Sequence, residues 1–404
     1  MNTNTPSSVA SLVQVCTIPY NGRRRLSIQH KKGGEALVLQ NMTRQNRYID
    51  LSSAPWTMHE FFAGSGLVAY GLKGMFTPIW ANDNSERKAA VYTANFGDSH
   101  FVLEDIRNVH GEKIPRANMS WASFPCQDLS LAGTREGIYG ARSSLVWEWL
   151  RILDEMKESP KILVLENVIG LLSANNGEHY AVLHNDLLKR GYKSGAIVMN
   201  ASYFVPQSRP RVFIIAVKKE CTLPHDLVGN GPSWLHNKAS SELGERLLDW
   251  IWWNTEKPLP RQQTIKDIVE ENVPFDKDHI LRLMPKRHQE RLAEHDAAYA
   301  TAYCRTRNGK QQLELRFDGI AGCLRTPEGG SSRQYLVIKK NGVAHARFLT
   351  VREAARLMGV PDDFILPGSY NDGYKAMGDA VAMPAAHFIG DRFLTRIAET
   401  VYHD

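Results

Sequence analysis

From residue 56 to 217, short apolar runs alternate with stretches whose apolar positions recur at helical spacing. The runs at 58–62, 78–81, 119–123, 162–165 and 212–217 read as buried strands. Between them, residues 86–96, 144–155 and 180–190 carry the helical pattern. Strands separated by helices predict parallel βαβ units in a doubly wound α/β sheet, Rossmann-like in kind, with ligands at the carboxyl ends of the strands. From 218 to about 347 the alternation degrades. Trp234, Trp250, Trp252, Trp253, Pro258 and Pro260 interrupt it, and one charged helical segment stands out at 286–296. A second, smaller and irregular domain is expected there. Residues 350–358 predict a helix capped by Thr350 and stopped by Pro361, and 374–402 predict a closing helix. Ahead of the alternating region, residues 1–55 hold β-like runs at 12–18, 26–30 and 36–39, with turn signals at Asn21-Gly22 and Gly33-Gly34.

Composition changes this picture little. With 404 residues, 43% hydrophobic and 23% charged, the chain can bury more than one core and has no disordered bias. A formal charge of +6 admits an anionic partner without establishing one. The leader is locally basic (Arg23, Arg24, Arg25, Lys31, Lys32, Arg44, Arg47), which fits either an accessory DNA contact or a solvated face. No stretch has the apolar length of a membrane span, and residues 1–14 lack the pattern of a secretory signal. The cysteines at 16, 126, 221, 304 and 323 are scattered and form no CxxC pair. That argues against a disulfide framework or a zinc site and leads us to expect a reducing cytoplasm.

Candidate chemistry lies at the predicted strand ends. Phe62-Ala63-Gly64-Ser65-Gly66 follows the first strand, where glycines let a backbone approach a ligand at a helix start. Asp83 follows the second strand, where a carboxylate accepts hydrogen bonds from ribose hydroxyls. Asp105-Ile106 follows the third, at the place of an adenine contact. Either acid alone reads equally well as a helix N-cap. Pro125-Cys126-Gln127 lies past the next strand and before a loop with Gly133, Gly137 and Gly140. A cysteine there suits an exposed nucleophile beside a moving lid better than core filling. Glu166 ends an apolar strand in Leu163-Val164-Leu165-Glu166-Asn167-Val168. A carboxylate is costly to bury there unless something binds it or it stays neutral. Gln207-Ser208-Arg209-Pro210-Arg211 precedes the last strand with two arginines able to hold a phosphate or a carbonyl.

In this order the motifs resemble those of the DNA cytosine-5 methyltransferase family of the prokaryotic restriction-modification type, from residue 58 to the C-terminus. Thr350-Val351-Arg352-Glu353 through Leu357-Met358-Gly359 is similar to the family's helix beneath the recognition domain. Gly378-Asp379-Ala380-Val381 is similar to its late cofactor motif, and the stretch from Gly319 to Arg325 to the end of its recognition region. The resemblance implies a catalytic domain over 56–217 completed by about 370–404, a target-recognition domain over 218–369, and a basic extension over 1–55. It implies S-adenosylmethionine as donor, no metal, and a donor site built from Phe62, Gly64, Gly66, Asp83, Asp105, Ile106, Pro125, Leu145, Asp379, Ala380 and Val381. Cys126 is implied as the nucleophile toward cytosine C6, Glu166 as the group that reads the N3 edge, and Arg209 and Arg211 as holding the base carbonyl and a phosphate. Duplex DNA is the implied partner, with the target base flipped into the pocket. No membrane contact and a monomer in a bacterial cytoplasm are expected, and a cognate restriction endonuclease on the same site is left open. Three positions depart from the family pattern: Asp379 for asparagine, Phe204 for glycine and Cys323 for threonine. Two other functions stay in view. One is cytosine methylation in tRNA, against which stands the long recognition region. The other is DNA-binding regulation through the leader, against which stand its β-like runs.

Overall fold

The computed structural model describes residues 15–20, 23–28, 48–125, 145–294, 299–326 and 333–403. Cys126, the glycine-bearing loop after it and most of the leader lie outside the described residues. The chain divides into two units, Met1–Asn46 and Arg47–Asp404. In the first, β1 (Val15–Tyr20) and β2 (Arg23–Ile28) pair antiparallel, as the Asn21-Gly22 turn signal predicts. Paired helices are absent among the described residues of this unit.

The second unit begins with β3 (Trp56–Phe61), α1 (Leu67–Gly71), β4 (Phe76–Asp83), α2 (Glu86–Phe96), β5 (Phe101–Leu103), β6 (Met119–Ala122) and α3 (Leu145–Glu155). It continues through β7 (Ile162–Val168), α4 (Gly170–Ser173), α5 (Glu178–Lys189), β8 (Tyr192–Asn200) and β9 (Pro210–Lys218). These strands form one sheet in the order β5-β4-β3-β6-β7-β9-β8. The five expected strands are present, joined by β5 and β8. Strand β9 runs antiparallel to both neighbours, because the link 201–209 is too short for the crossover a parallel strand needs. Period-two alternation drives the layering: Ile162 and Val164 face one core while Leu163 and Leu165 face the other. Helices α1 and α2 cover the first face, and α3 and α5 cover the second.

Two expectations need correction. The region after 218 is less irregular than its sequence suggests. After α6 (Lys238–Arg246), α7 (Ile265–Ile268) and α8 (Lys286–Glu294), strands β10 (Tyr299–Arg307), β11 (Lys310–Arg316), β12 (Gln334–Lys340) and β13 (Val343–Phe348) form an antiparallel sheet in the order β11-β10-β12-β13. Leu227, Leu235, Ile251 and Trp253 pack into the core of the main sheet, whereas Ile280, Leu313 and Val337 belong to a separate core on the second sheet. The C-terminal stretch is also not one helix. After α9 (Val351–Leu357) come α10 (Tyr370–Asp379), α11 (Met383–Ile389) and α12 (Thr395–His403). The break falls where Ala380 and Ala382 turn extended and Pro384 starts the next helix.

The junction between β13 and α9 is a buried ion pair. Arg347 donates to both oxygens of Glu353 at 2.6 and 2.7 Å, with side chains 2% and 0% exposed. Glu353 also completes the capping box of Thr350.

Candidate active site

At the carboxyl end of β3 the backbone turns sharply. Phe62 adopts φ 56°, in the left-handed region, and Gly64 and Gly66 follow at φ 58° and 78°. A Cβ on Gly66 would lie 2.4 Å from the Phe96 ring, so only glycine lets α1 start this close to α2. At Gly64 the same atom would meet nothing nearer than 3.9 Å, which leaves that side of the loop open to a ligand. Asp83 is 7% exposed and fixes the loop: one oxygen accepts the Gly64 N–H at 2.9 Å, the other the Ser85 N–H at 2.9 Å. Beneath lies Glu60, 1% exposed, whose carboxyl burial pushes up to about 8.

Asp105 caps the short turn Ile106–Asn108 through the Arg107 N–H at 3.0 Å. The Arg107 guanidinium beside it, at 2.6 Å, lowers its carboxyl to about 2. The N-cap alternative is therefore realised at Asp105. Ile106 is buried in the core beneath α3.

The base side is assembled from β6, β7 and β9. Asn167 donates to the Phe124 carbonyl at 3.0 Å and so hangs the segment ending at Pro125, to which Cys126 is directly bonded, on the end of β7. Glu166 is 7% exposed and its Oε1 lies 3.0 Å from Arg211 Nε. Burial raises the Glu166 carboxyl above the ordinary glutamate range, and the charges of Arg211 and Arg209 pull it back only in part.

The two arginines, read as one clamp from sequence, differ in placement. Arg211 faces Glu166. Arg209 is 2% exposed and directed into the protein, donating to Leu324 O at 2.9 Å, Gly378 O at 2.9 Å and Ala380 O at 2.6 Å, and to Cys323 Sγ at 3.2 Å. Gln207 is fully buried, donating to Leu357 O and accepting from Leu324 N. These bonds join the arginine motif, the end of the second sheet's segment and the late cofactor motif around one point. Cys323, the departure from threonine, is partly buried. Burial raises its thiol, but Arg209 and Arg211 outweigh that and bring it below the ordinary cysteine value. Phe204, the departure from glycine, packs its ring against Phe388 of α11, with centroids 5.4 Å apart and planes tilted by 43°.

Of the other expected donor-site residues, Leu145 opens α3, and Asp379, Ala380 and Val381 lie where α10 ends. Asp379 is 3.0 Å from Lys88 of α2, a contact that sequence reasoning missed. Asn167 and Gln207 were also missed as positioning residues, although each lies within a motif that was noticed. A cleft of about 260 Å3 opens between Ser208 and the second sheet, lined by Arg287, Arg305, Arg316 and Arg325 with Glu314 among them. Arg305 lies 3.5 Å from Glu314, and Arg316 is paired with Asp318.

A strand-end glycine loop, acids after the next two strands, and a buried glutamate paired with an arginine beside the segment that leads into a cysteine define a donor-dependent base-modifying enzyme built on a doubly wound sheet. The C-5 cytosine-specific DNA methylase model matches residues 56–395, and the chain belongs to that family. It is similar to the Type II methyltransferase M.Bsp6I of Bacillus sp. (strain RFL6), 28% identical over 84% of this chain and 96% of the relative. It is also similar to M.BsuFI of Bacillus subtilis, 30% identical over 85% of this chain and 72% of the relative. In fold it is similar to the Dnmt2 methyltransferase of S. pombe, with TM-score 0.57, 16% identity and coverage of 83% of this chain and 97% of that one. A putative DNA modification methyltransferase of an E. coli prophage matches with TM-score 0.54, 18% identity, 86% of this chain and all of the other. DNA cytosine-5 methylation is the activity that goes with this membership, and the family uses S-adenosylmethionine as donor. No helix among the described residues is long and apolar enough to cross a membrane. No group of three or more metal-ligating side chains occurs among them.

The residues present fit the donor. The loop is open on the Gly64 side, Asp83 keeps lone pairs free beyond its two backbone bonds, and the strand ends converge there.

Proposed function

We propose that the chain methylates C5 of a flipped cytosine in a specific duplex DNA sequence through a covalent bond from Cys126 to C6, as the modification arm of a restriction-modification system. The observation that carries this is the pairing of buried Glu166 with Arg211 beside the segment hung from Asn167. Cytosine C5 is too weak a nucleophile unaided. The Cys126 thiolate adds to C6, and the ring electrons move toward C5. Glu166, favoured in its protonated form by burial, donates to N3 and accepts from the N4 amino group, stabilising the charge that the adduct develops. Arg211 orients Glu166 and lends its positive charge to the side of the base carbonyl. Arg209 acts as a positioning residue that holds the arginine segment against the late cofactor motif. When bound, S-adenosylmethionine supplies the electrophilic methyl group. Loss of the C5 proton then expels the cysteine and restores the ring. Because attack at C6 needs the ring face that stacking covers, and N3 is engaged in the base pair, the base must leave the helix. The arginine-lined cleft beside Ser208 suits backbone phosphates.

The experiment is incubation with radiolabelled donor and either duplex DNA or tRNA, followed by bisulfite sequencing of DNA from cells expressing the protein. Label in duplex DNA, with protected cytosines at one sequence, is the expected result. Label in tRNA alone would contradict the substrate, and unmodified C5 positions would contradict the reaction.

A further inference from the structure

Alternation along β10 and β11 gives the second sheet two unlike faces. Ala300, Ala302 and Cys304, with Leu313 and Leu315, fill the sheet's own core. Their neighbours take the other face, where the antiparallel register sets Tyr303 opposite Glu314 and Arg305 opposite Gln312. Tyr303, Arg305 and Glu314 all line the cleft beside Ser208 and Cys323. The Tyr303 hydroxyl donates to Cys323 O, and Cys323 Sγ lies 3.9 Å from Arg211, the partner of Glu166. Contacts therefore run unbroken from this face to the base site.

The arginines around the cleft are not alike. Arg287 and Arg325 form no ion pair among the described residues, which suits contacts to phosphate. Arg305 differs. Its Nε lies 3.5 Å from Glu314 Oε2, and its guanidinium carbon is 5.5 Å from the centre of the Tyr303 ring. Glu314 is held in turn by Arg307 Nε at 2.8 Å. A carboxylate at this place repels phosphate, so attraction to the DNA backbone does not explain it. What the carboxylate and the ring do is fix the plane of the guanidinium while its two terminal nitrogens stay available to a ligand. Such a fork needs two acceptors side by side. On the major-groove edges of the bases only guanine offers that pair, at O6 and N7. Adenine presents an acceptor beside a donor, cytosine a donor, and thymine a single acceptor.

We propose that Arg305, oriented by Glu314 and Tyr303, reads the O6 and N7 edge of a guanine close to the target cytosine. This rests on the duplex DNA reading above and assigns one of its specificity contacts to a residue and a base.

Base-resolution methylation mapping in cells expressing the full-length protein defines the wild-type site, which should hold a G·C pair near the modified cytosine. Arg305→Met should relax that one position and lower kcat/KM on the cognate duplex by about tenfold to a hundredfold, with S-adenosylhomocysteine binding retained. Arg305→Lys, which keeps the charge and loses the fork, should behave in the same way. Replacing that guanine by 7-deazaguanine, which lacks the N7 acceptor, should cost the wild-type protein about tenfold and Arg305→Met less than about twofold. Arg287→Met should instead leave the site unchanged and lower the salt slope of DNA binding by about one. A site without a G·C pair, an unrelaxed site in Arg305→Met, or undiminished 7-deazaguanine sensitivity in that variant overturns the assignment. Full recovery by Arg305→Lys would mark a phosphate contact and overturn it too. If the wild-type protein methylates no cytosine in duplex DNA, the reading beneath this inference fails and the inference with it.

Discussion

At the donor edge of the sheet, Asp83 ends β4 with both oxygens held by backbone N–H groups, and Asp105 is kept ionised by Arg107. At the base edge, Glu166 ends β7 buried, its arginine partner too weak to offset the burial, and its carboxyl is displaced toward the neutral form. The same functional group at equivalent places, the ends of strands in one sheet, is thus prepared for opposite tasks. A carboxylate held ionised, as Asp105 is, and oxygens fixed by backbone N–H groups, as in Asp83, suit the acceptance of hydrogen bonds. A carboxyl shifted by burial toward its neutral form suits donation to a ring nitrogen. Neighbours rather than residue type set the role.

The contrast can be broken in several places. Removing the proton from the base edge by Glu166→Gln, which keeps a donor but cannot exchange a proton, should lower kcat by about a hundredfold to a thousandfold. Calorimetric binding of S-adenosylhomocysteine should stay unchanged, whereas comparable losses in both would show that the two edges are not separate. The arginines should divide in the same way. Arg209→Met strands three carbonyls that it now satisfies and should cost about 3–5 kcal/mol in urea unfolding, while Arg211→Met should cost far less stability and mainly reduce kcat. At the donor edge, Asp83→Ala should weaken S-adenosylhomocysteine by about tenfold, since it frees the Gly64 N–H as well as the expected ribose contact.

The smallest effect lies beneath the donor edge. Burial lowers His59 from 6.5 to about 4, so its contribution to stability is present above pH 6.5 and lost as pH falls toward 4. Burial raises Glu60 from 4.5 to about 8, so its contribution is present below pH 4.5 and lost as pH rises through 8. The two oppose each other up to pH 6.5. Above it only Glu60 acts, and stability should fall toward pH 8 by at most about 1.4 kcal/mol per pH unit. Urea midpoints at the two pH values should converge in Glu60→Gln.

How far the sequence revealed this site depended on where each residue's partners lie. Glu166 stood out because a carboxylate ends a run of apolar residues, a cost visible without coordinates. Asp83 and the glycine loop were readable for a similar reason, each following a strand. Arg209 was not, because two alternating arginines look alike until one is seen to donate to carbonyls more than a hundred residues away. Lys88 on a helix reads as a solvated charge, and only the fold brings Asp379 to it. Strand β8 was overlooked because Lys193, Ser194 and Gly195 interrupt its apolar run. The second sheet was overlooked because its outer strand β11 begins Lys310-Gln311-Gln312 and buries few residues. In both, cross-strand pairing makes the strand, and single-chain periodicity does not carry that information.

The central claim is a bond between one sulfur and a pyrimidine ring. Random-sequence duplex DNA bearing 5-fluorocytosine, incubated with the protein and S-adenosylmethionine, should give a complex that survives denaturing electrophoresis, because fluorine cannot leave C5 as the proton does. Peptide mapping should place the adduct on Cys126, and Cys126→Ser should yield none. No trapped complex with donor present, or an adduct on any other residue, would contradict the account.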